Sequence, residues 1–252
     1  MTLFDANTWI GRWPFAFLPA HDARSLVEHL HRHGIRRALV SPLDAVFAPE
    51  PGPANRALLR ATRGIAALVP VPVINLALAN WREELAACAA DPRVIAVRVL
   101  PNYHNYRLTS RVADELVGEL QRRRRRLIVQ VRLVDERHEY FALRIKGVPT
   151  KAMGTFLARH PQLPVLAMGM YRPEIRELLP RHPRLLADLS LAEWERTVAD
   201  LLARVSPRQL VFGSHTPFLI TAAEVAKLTA AGVPARVATR IATGNLQRFL
   251  GE

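Results

Sequence analysis

The sequence holds one cysteine, Cys88, in 252 residues, which excludes an internal disulfide and any multi-cysteine metal centre. Cys88 sits in the alanine-rich run Leu85-Ala86-Ala87-Cys88-Ala89-Ala90, a helical pattern in which a thiol reads as a small buried hydrophobe. No apolar stretch approaches the roughly 20 residues needed to cross a bilayer. A basic segment followed by an apolar core and a small-residue cleavage site is also missing from the start. A cytoplasmic protein with no membrane partner is the expectation. Acidic residues are the scarce charge, 22 Asp and Glu against 35 Lys and Arg, for a formal net charge of +13. Such an excess attracts phosphates where it is clustered. The one concentrated run, Arg122-Arg123-Arg124-Arg125-Arg126, falls where a helix should end before a strand, and cations there complement the helix dipole. Without aromatic interleaving or a helix-turn-helix pattern it reads as a solvated helix end, and nucleic acid is not the expected partner.

What the chain does have is alternation. Strand-like runs at Leu3–Thr8, Arg37–Ser41, Val69–Asn75, Val94–Leu100, Leu127–Leu133, Pro164–Met168, Leu185–Leu189 and Gln209–Gly213 are each followed by an amphipathic helical segment. A last helix is expected near Pro234–Ile241. Eight strand–helix units in a chain of this length predict the α/β class and a (β/α)8, or TIM, barrel occupying residues 1–252 as a single domain. The rival, a doubly wound open sheet, usually has fewer strands and often a Gly-rich phosphate turn, which this sequence lacks. The Pro- and Gly-rich stretch Pro49–Pro53 reads as a loop entering a helix, not a domain boundary.

Side chains alternate faces along a strand, so strand parity sorts the polar residues. Asp5, Asn7 and Trp9 are expected on one face of the first strand and Phe4 and Ala6 on the other. Ala96, Arg98 and Leu100 oppose Val97 and Val99, and Gln130 and Arg132 oppose Val129, Val131 and Leu133. In a barrel the polar set turns inward near the C-terminal mouth, where barrel active sites lie. Inward Arg98 and Arg132 then either pair with acidic groups or bind an anion.

Five segments, in order along the chain, carry a family resemblance. They are FDANTWIG at Phe4–Gly11, VIAVRVLPNYHNY at Val94–Tyr106, HPQLPVLAMG at His160–Gly169, QLVFGSHTPF at Gln209–Phe218 and IATGNLQRFL at Ile241–Leu250. Together they resemble the amidohydrolase superfamily, in its amidohydrolase-related (amidohydrolase 2) branch, over essentially the whole chain. The resemblance implies a TIM barrel with hydrolase chemistry at its mouth, and it allows a homo-oligomer. It also places Asn7 and Trp9 where the family's first-strand histidines stand, Arg132 and Met168 at those of the fifth and sixth strands, and His215 at the last-strand aspartate. Catalytic zinc usually takes three protein ligands from N, O or S donors, so neither a metal nor another cofactor is expected. His29 and His33 have a chelating spacing, but they lie near a helix C-terminus, where histidine also suits the dipole.

The candidate site follows from the strand ends. His215 is the expected general acid or base, oriented by Asp188 on the neighbouring strand. Asn7, Trp9 and Arg12, then Arg98, Asn102, Tyr103 and His104, then Arg132 and Glu136, are expected to bind substrate, with Asp135, Arg137 and His138 beside them. Two guanidiniums can clamp a carboxylate bidentately, and Trp9 and Tyr103 can stack on a planar ligand body. Ser214 reads as a turn hydroxyl, since no Gly-x-Ser-x-Gly elbow surrounds it. The expected function is metal-independent hydrolase or lyase-like chemistry on a small anionic, carboxylate-bearing molecule. The alternative is a catalytically inactive relative that binds a ligand or partner. The first requires Asp188 and His215 within hydrogen-bond reach and an arginine facing open space; the second requires a plugged mouth with paired arginines.

Overall fold

Eight parallel strands alternate with helices in the computed structural model of the chain, which describes residues 1–137 and 144–252. The order is β1 (Leu3–Ile10), α1 (Ala23–Arg32), β2 (Ile35–Pro42), α2 (Gly52–Ala61), β3 (Leu68–Pro70), α3 (Trp81–Ala89), β4 (Ala96–Val99) and α4 (Arg111–Arg123). It continues with β5 (Arg126–Gln130), α5 (Thr150–Arg159), β6 (Val165–Met168), α6 (Arg172–Leu178), β7 (Leu185–Asp188), α7 (Thr197–Leu202), β8 (Leu210–Val211) and α8 (Thr221–Thr229). Two further helices, α9 (Ala235–Thr239) and α10 (Asn245–Leu250), end the chain. The strands form two parallel runs, β1-β2-β3 and β4 through β8. Backbone bonds sew the runs together at both seams. Arg98 N–H donates to the Pro72 carbonyl (2.8 Å) and Ile74 N–H to the Arg98 carbonyl (2.9 Å), while Ala6 and Trp9 N–H groups donate to Phe212 and Thr216 carbonyls (3.0 and 2.9 Å). The sheet thus closes into the expected (β/α)8 barrel, which leaves no free strand edge.

Three apolar layers organise the interior. The largest lies between strands and helices and takes the outward residues, such as Val97, Val99, Leu127, Val129 and Ala167, with Leu26, Leu85, Leu116 and Phe156 from the helices. The second fills the base of the barrel with Leu39, Val71, Ala96, Ile128, Leu166, Met168 and Val211, and α10 plugs it from below with Leu246, Phe249 and Leu250. A third, Trp9, Leu43, Val73, Leu100 and Leu133, lines the mouth. Among the described residues no helix is long and apolar enough to cross a membrane.

The parity expected for β1 needs correction. Phe4 and Ala6 pack into the barrel base, yet Asn7 and Trp9, one and three residues beyond Ala6, also face the interior. The cause is a bulge: Asp5 pairs with Ala38 and Thr8 with Val40, so three steps on β1 match two on β2. An extra residue on one strand shifts every later side chain to the opposite face. The lower half of β1 therefore supplies apolar filling, and the upper half supplies polar groups to the mouth.

Candidate functional site

At the mouth, Asn7 holds a polar network together. Its amide Nδ2 donates to Asp188 Oδ2 (2.9 Å) and lies 2.8 Å from His215 Nδ1. Its Oδ1 accepts from the Trp9 indole N–H (3.2 Å) and from Arg98 Nη1 (3.2 Å). Asp188 also accepts from Ser190 Oγ (2.6 Å) and from the Gly169 backbone N–H (2.8 Å). His215 Nε2 lies 2.6 Å from the Leu133 carbonyl. A carbonyl can only accept, so the proton sits on Nε2, and Nδ1 accepts from Asn7. Asp188 and His215 share no hydrogen bond among the described residues. The expected direct dyad is replaced by one in which Asn7 stands between them.

Local backbone explains how these groups converge. His215 has φ +54°, a left-handed conformation uncommon outside glycine, and its ring is turned inward. Gly213 lies where a Cβ would come within 2.7 Å of Asp188 Oδ2 and 3.2 Å of the Asn7 Cβ, so only glycine leaves room for the Asn7–Asp188 bond. Gly169 has φ +69°, and a Cβ there would overlap the Arg132 carbonyl oxygen.

Arg98 is the least satisfied member. It is fully buried, its guanidinium lies 4.2 Å over the Trp9 ring, and Nη1 also donates to Gln130 Oε1 (3.1 Å). Its Nε and Nη2 have no hydrogen-bond partner among the described residues. Burial pulls its pKa down to about 9, against the opposing pull of Asp188 and Asp5, so it stays charged at neutral pH. Burial lifts the Asp5 carboxyl to about 7, although the Asn7 and Ser214 backbone N–H groups donate to its Oδ1 (2.9 Å each). Burial also lowers the pKa of His215, in keeping with the neutral ring.

The other expected residues divide. Arg132 is not an open anion clamp: Nε donates to Glu136 (2.9 Å), Nη1 to the Gly169 carbonyl (2.9 Å) and Glu174 (2.6 Å), and Nη2 to Glu174 (2.8 Å). Every nitrogen is engaged, and Tyr171 covers the guanidinium at 3.9 Å. Glu136 also accepts from Gly147 N–H (2.6 Å), which fastens both legs of the loop after β5. Asn102 donates to the Lys146 carbonyl (2.6 Å) in the same loop. His104 is buried against the Ala45 carbonyl (3.3 Å), and Tyr103 Oη accepts from Val134 N–H (3.3 Å). The Arg12 side chain is exposed, away from the buried network. Trp9 lies beneath Arg98, so its ring is not free to stack on a ligand. Asp135 and Arg137 pair with each other (2.6 Å), and His138 lies outside the described residues.

Several participants were not among the expected site residues. Gln130 and Ser190 share faces with residues that were singled out, Arg132 and Asp188, and parity alone could have found them. A row of rings covers the mouth: His215 stacks on Phe218 (5.1 Å), Phe218 meets Trp13 edge-on (5.0 Å), Trp13 meets Phe47 (5.5 Å), and Phe47 meets Tyr103 (5.9 Å). These rings come from four different β→α loops. Cys88 is buried, its thiol points at Glu84 Oε1 (3.3 Å), and burial pushes its pKa up. Among the described residues no three His, Cys, Asp or Glu side chains stand together as a metal-holding group.

Fold and site together define a parallel (β/α)8 barrel with a polar mouth and an apolar base. Solved structures share that architecture along the full chain. A 2,6-dihydroxybenzoate decarboxylase from Rhizobium superposes with a TM-score of 0.76 at 12% identity, covering 99% of this chain and 98% of its own. A 5-carboxyvanillate decarboxylase from Sphingomonas paucimobilis gives 0.75 at 12%, covering 99% of each chain. A putative amidohydrolase from Staphylococcus aureus gives 0.77 at 11%, covering 100% of each. At such identities the likeness establishes the fold. Neither a protein-family model nor a curated protein sequence matches the chain.

Proposed function

We propose that the mouth binds a small carboxylate on the free Nε–Nη2 edge of Arg98, and that the protein is an amidohydrolase-related enzyme acting on such a molecule. One observation carries this reading: a charged, fully buried guanidinium with two nitrogens lacking a partner among the described residues. Leaving buried donors unpaired costs about 1–3 kcal/mol each. Nε and Nη2 form the side-on fork that takes both oxygens of a carboxylate. The structural relatives support the substrate class, since two of them carry names that describe decarboxylation of aromatic acids. The ring row over the mouth suits a planar ligand body.

The amidohydrolase resemblance implies a metal, and the side chains at its ligand positions do not suit one. Asn7 is saturated by four contacts, Trp9 offers only an N–H donor, Arg132 is ion-paired and Met168 belongs to the apolar base. No step is therefore routed through a metal. His215 is the group able to move a proton, through Nδ1 where a ligand displaces the Asn7 amide from it. Decarboxylation or hydrolysis at the mouth would use His215 in this way. A second reading, a binding protein without turnover, is favoured by a specific observation: both His215 ring nitrogens are already engaged.

Thermal-shift titration tests the binding reading. Benzoate and short aliphatic carboxylates should raise the melting temperature, and the matched neutral amides should not. An Arg98→Met variant that still folds should lose the shift. Equal shifts with the amides, or an undiminished shift in Arg98→Met, would mean that the Arg98 edge serves only internal water. Turnover of hydroxybenzoates by the wild type, abolished in His215→Gln, separates enzyme from binding protein.

A further inference from the structure

The end of the barrel opposite the mouth carries the chain's excess positive charge. In a (β/α)8 barrel every α→β turn lies at the N-terminal end of the strands. Here those turns bring arginine after arginine to one face. Arg36, at the start of β2, and Arg63, Arg124, Arg184, Arg204 and Arg208, from four different turns, are all exposed, and none takes part in an ion pair among the described residues. The turns themselves contain one carboxylate, Asp91, and Arg93 already holds it at 2.6 Å. Glu252 is taken by Arg37 (2.6 Å), and Glu119 by Arg122 and Arg123. The carboxylates near this face are therefore neutralised locally, and the six arginines remain in surplus. Helix dipoles account for cations in a last helical turn. They do not account for Arg36, Arg63, Arg184 and Arg208, which lie beyond the helix ends.

We propose that this basic face docks the phosphate backbone of duplex nucleic acid, without reading its sequence. Guanidiniums match phosphate geometry bidentately. The composition of the face selects among polyanions. Among the described residues the exposed large apolar side chains are Met1, Phe17, Phe47, Trp194 and Ile220, and all but Met1 belong to the mouth end. A surface whose one exposed large apolar side chain among the described residues is Met1 lacks the apolar cluster that a membrane-inserting face or a protein hot spot uses. Without aromatic platforms it cannot stack unpaired bases, so a duplex fits better than a single strand. In the linear chain only Arg122–Arg126 is conspicuous, and alone it reads as a helix end. The fold supplies the rest by collecting the other turns around it.

Fluorescence anisotropy with a labelled random-sequence DNA duplex of about 25 base pairs tests this on the whole protein. For about five phosphates neutralised, affinity should fall about 500-fold between 50 and 200 mM salt. Replacing Arg36, Arg63, Arg184 and Arg208 with Gln should lower the salt slope by about four. The same four positions as Glu should abolish binding at 100 mM salt. Unchanged melting temperature in the Gln variant confirms that its fold is intact. A control reversing two exposed mouth-end arginines, Arg107→Glu and Arg196→Glu, should bind within twofold of the wild type. The proposal fails if the wild type shows no salt-sensitive binding or if the control loses as much as the base variants. It fails equally if anionic phosphatidylglycerol vesicles, poly-glutamate or a single strand of equal charge are retained more tightly than the duplex.

Discussion

At the mouth of this barrel, polar side chains from β1, β4, β5, β7 and the end of β8 direct their hydrogen bonds to one another. At the base the interior is apolar apart from Asn245, which donates to the Pro207 and Leu210 carbonyls, and around it six exposed arginines have no ionic partner among the described residues. The mouth chain Ser190–Asp188–Asn7–His215–Leu133 ends on a backbone carbonyl, and among the described residues it leaves the buried Nε and Nη2 of Arg98 and Oδ2 of Asp5 unpaired. The base is shut by α10, whose Leu246, Phe249 and Leu250 fill the barrel from below. The contrast teaches a division of labour within one sheet. Apolar filling supplies the stability, which frees the upper layer to hold groups that are costly to bury.

The largest effect should come from the plug. Phe249→Ala should destabilise the protein by about 3–5 kcal/mol, as loss of a buried aromatic does. Phe218→Ala, half-buried in the ring row over the mouth, should cost only about 1 kcal/mol while weakening carboxylate binding. Chemical denaturation of both variants checks this, and equal costs would break the division between base and mouth.

Next comes the pH response of the buried acid. Asp5 is lifted to about 7 in the fold, above its unfolded value near 3.8. Its contribution is complete below the unfolded value and is lost as pH rises through 7. A loss of about 2–4 kcal/mol between pH 4 and 8 corresponds to a shift of this size. His215 has the opposite sign, because burial lowers its pKa. Its contribution is present above its unfolded value, about 6.5, and is lost as pH falls. Asp5→Asn should therefore remove the fall toward alkaline pH and leave the acid side intact, as stability measured across that range would show.

A smaller effect belongs to the loop clasp. Glu174→Gln deprives the nearly buried Arg132 of its bidentate partner and should cost about 2–3 kcal/mol, measurable by thermal melting. The exposed Arg24–Glu28 pair at 3.2 Å supplies the floor of the scale: Arg24→Ala should change stability by less than about 0.5 kcal/mol.

The eight strands were legible because each apolar run is local and each is followed by a helical pattern. Arg98 was legible as an inward residue because β4 keeps strict alternation. The bulge in β1 was not, since it exists only in the pairing of Asp5 and Thr8 with β2. Arg132 misled because its partner Glu174 lies 42 residues away in the first turn of α6, and nothing local marks the pair. Asn7 reads as a lost histidine in the sequence; in the fold it is the group that joins Asp188 to His215. The basic face was equally hidden, because its arginines are scattered in sequence and meet only when the turns are brought to one end.

Isothermal titration with benzoate is the most direct test of the division between the ends. Wild type, Arg98→Met and the Gln variant of the four base arginines would be compared side by side. The expected result is one benzoate site per chain in the wild type and in the base variant, and none in a folded Arg98→Met. Benzoate binding that survives Arg98→Met, or that disappears with the base arginines, would contradict the assignment of the mouth as the carboxylate site.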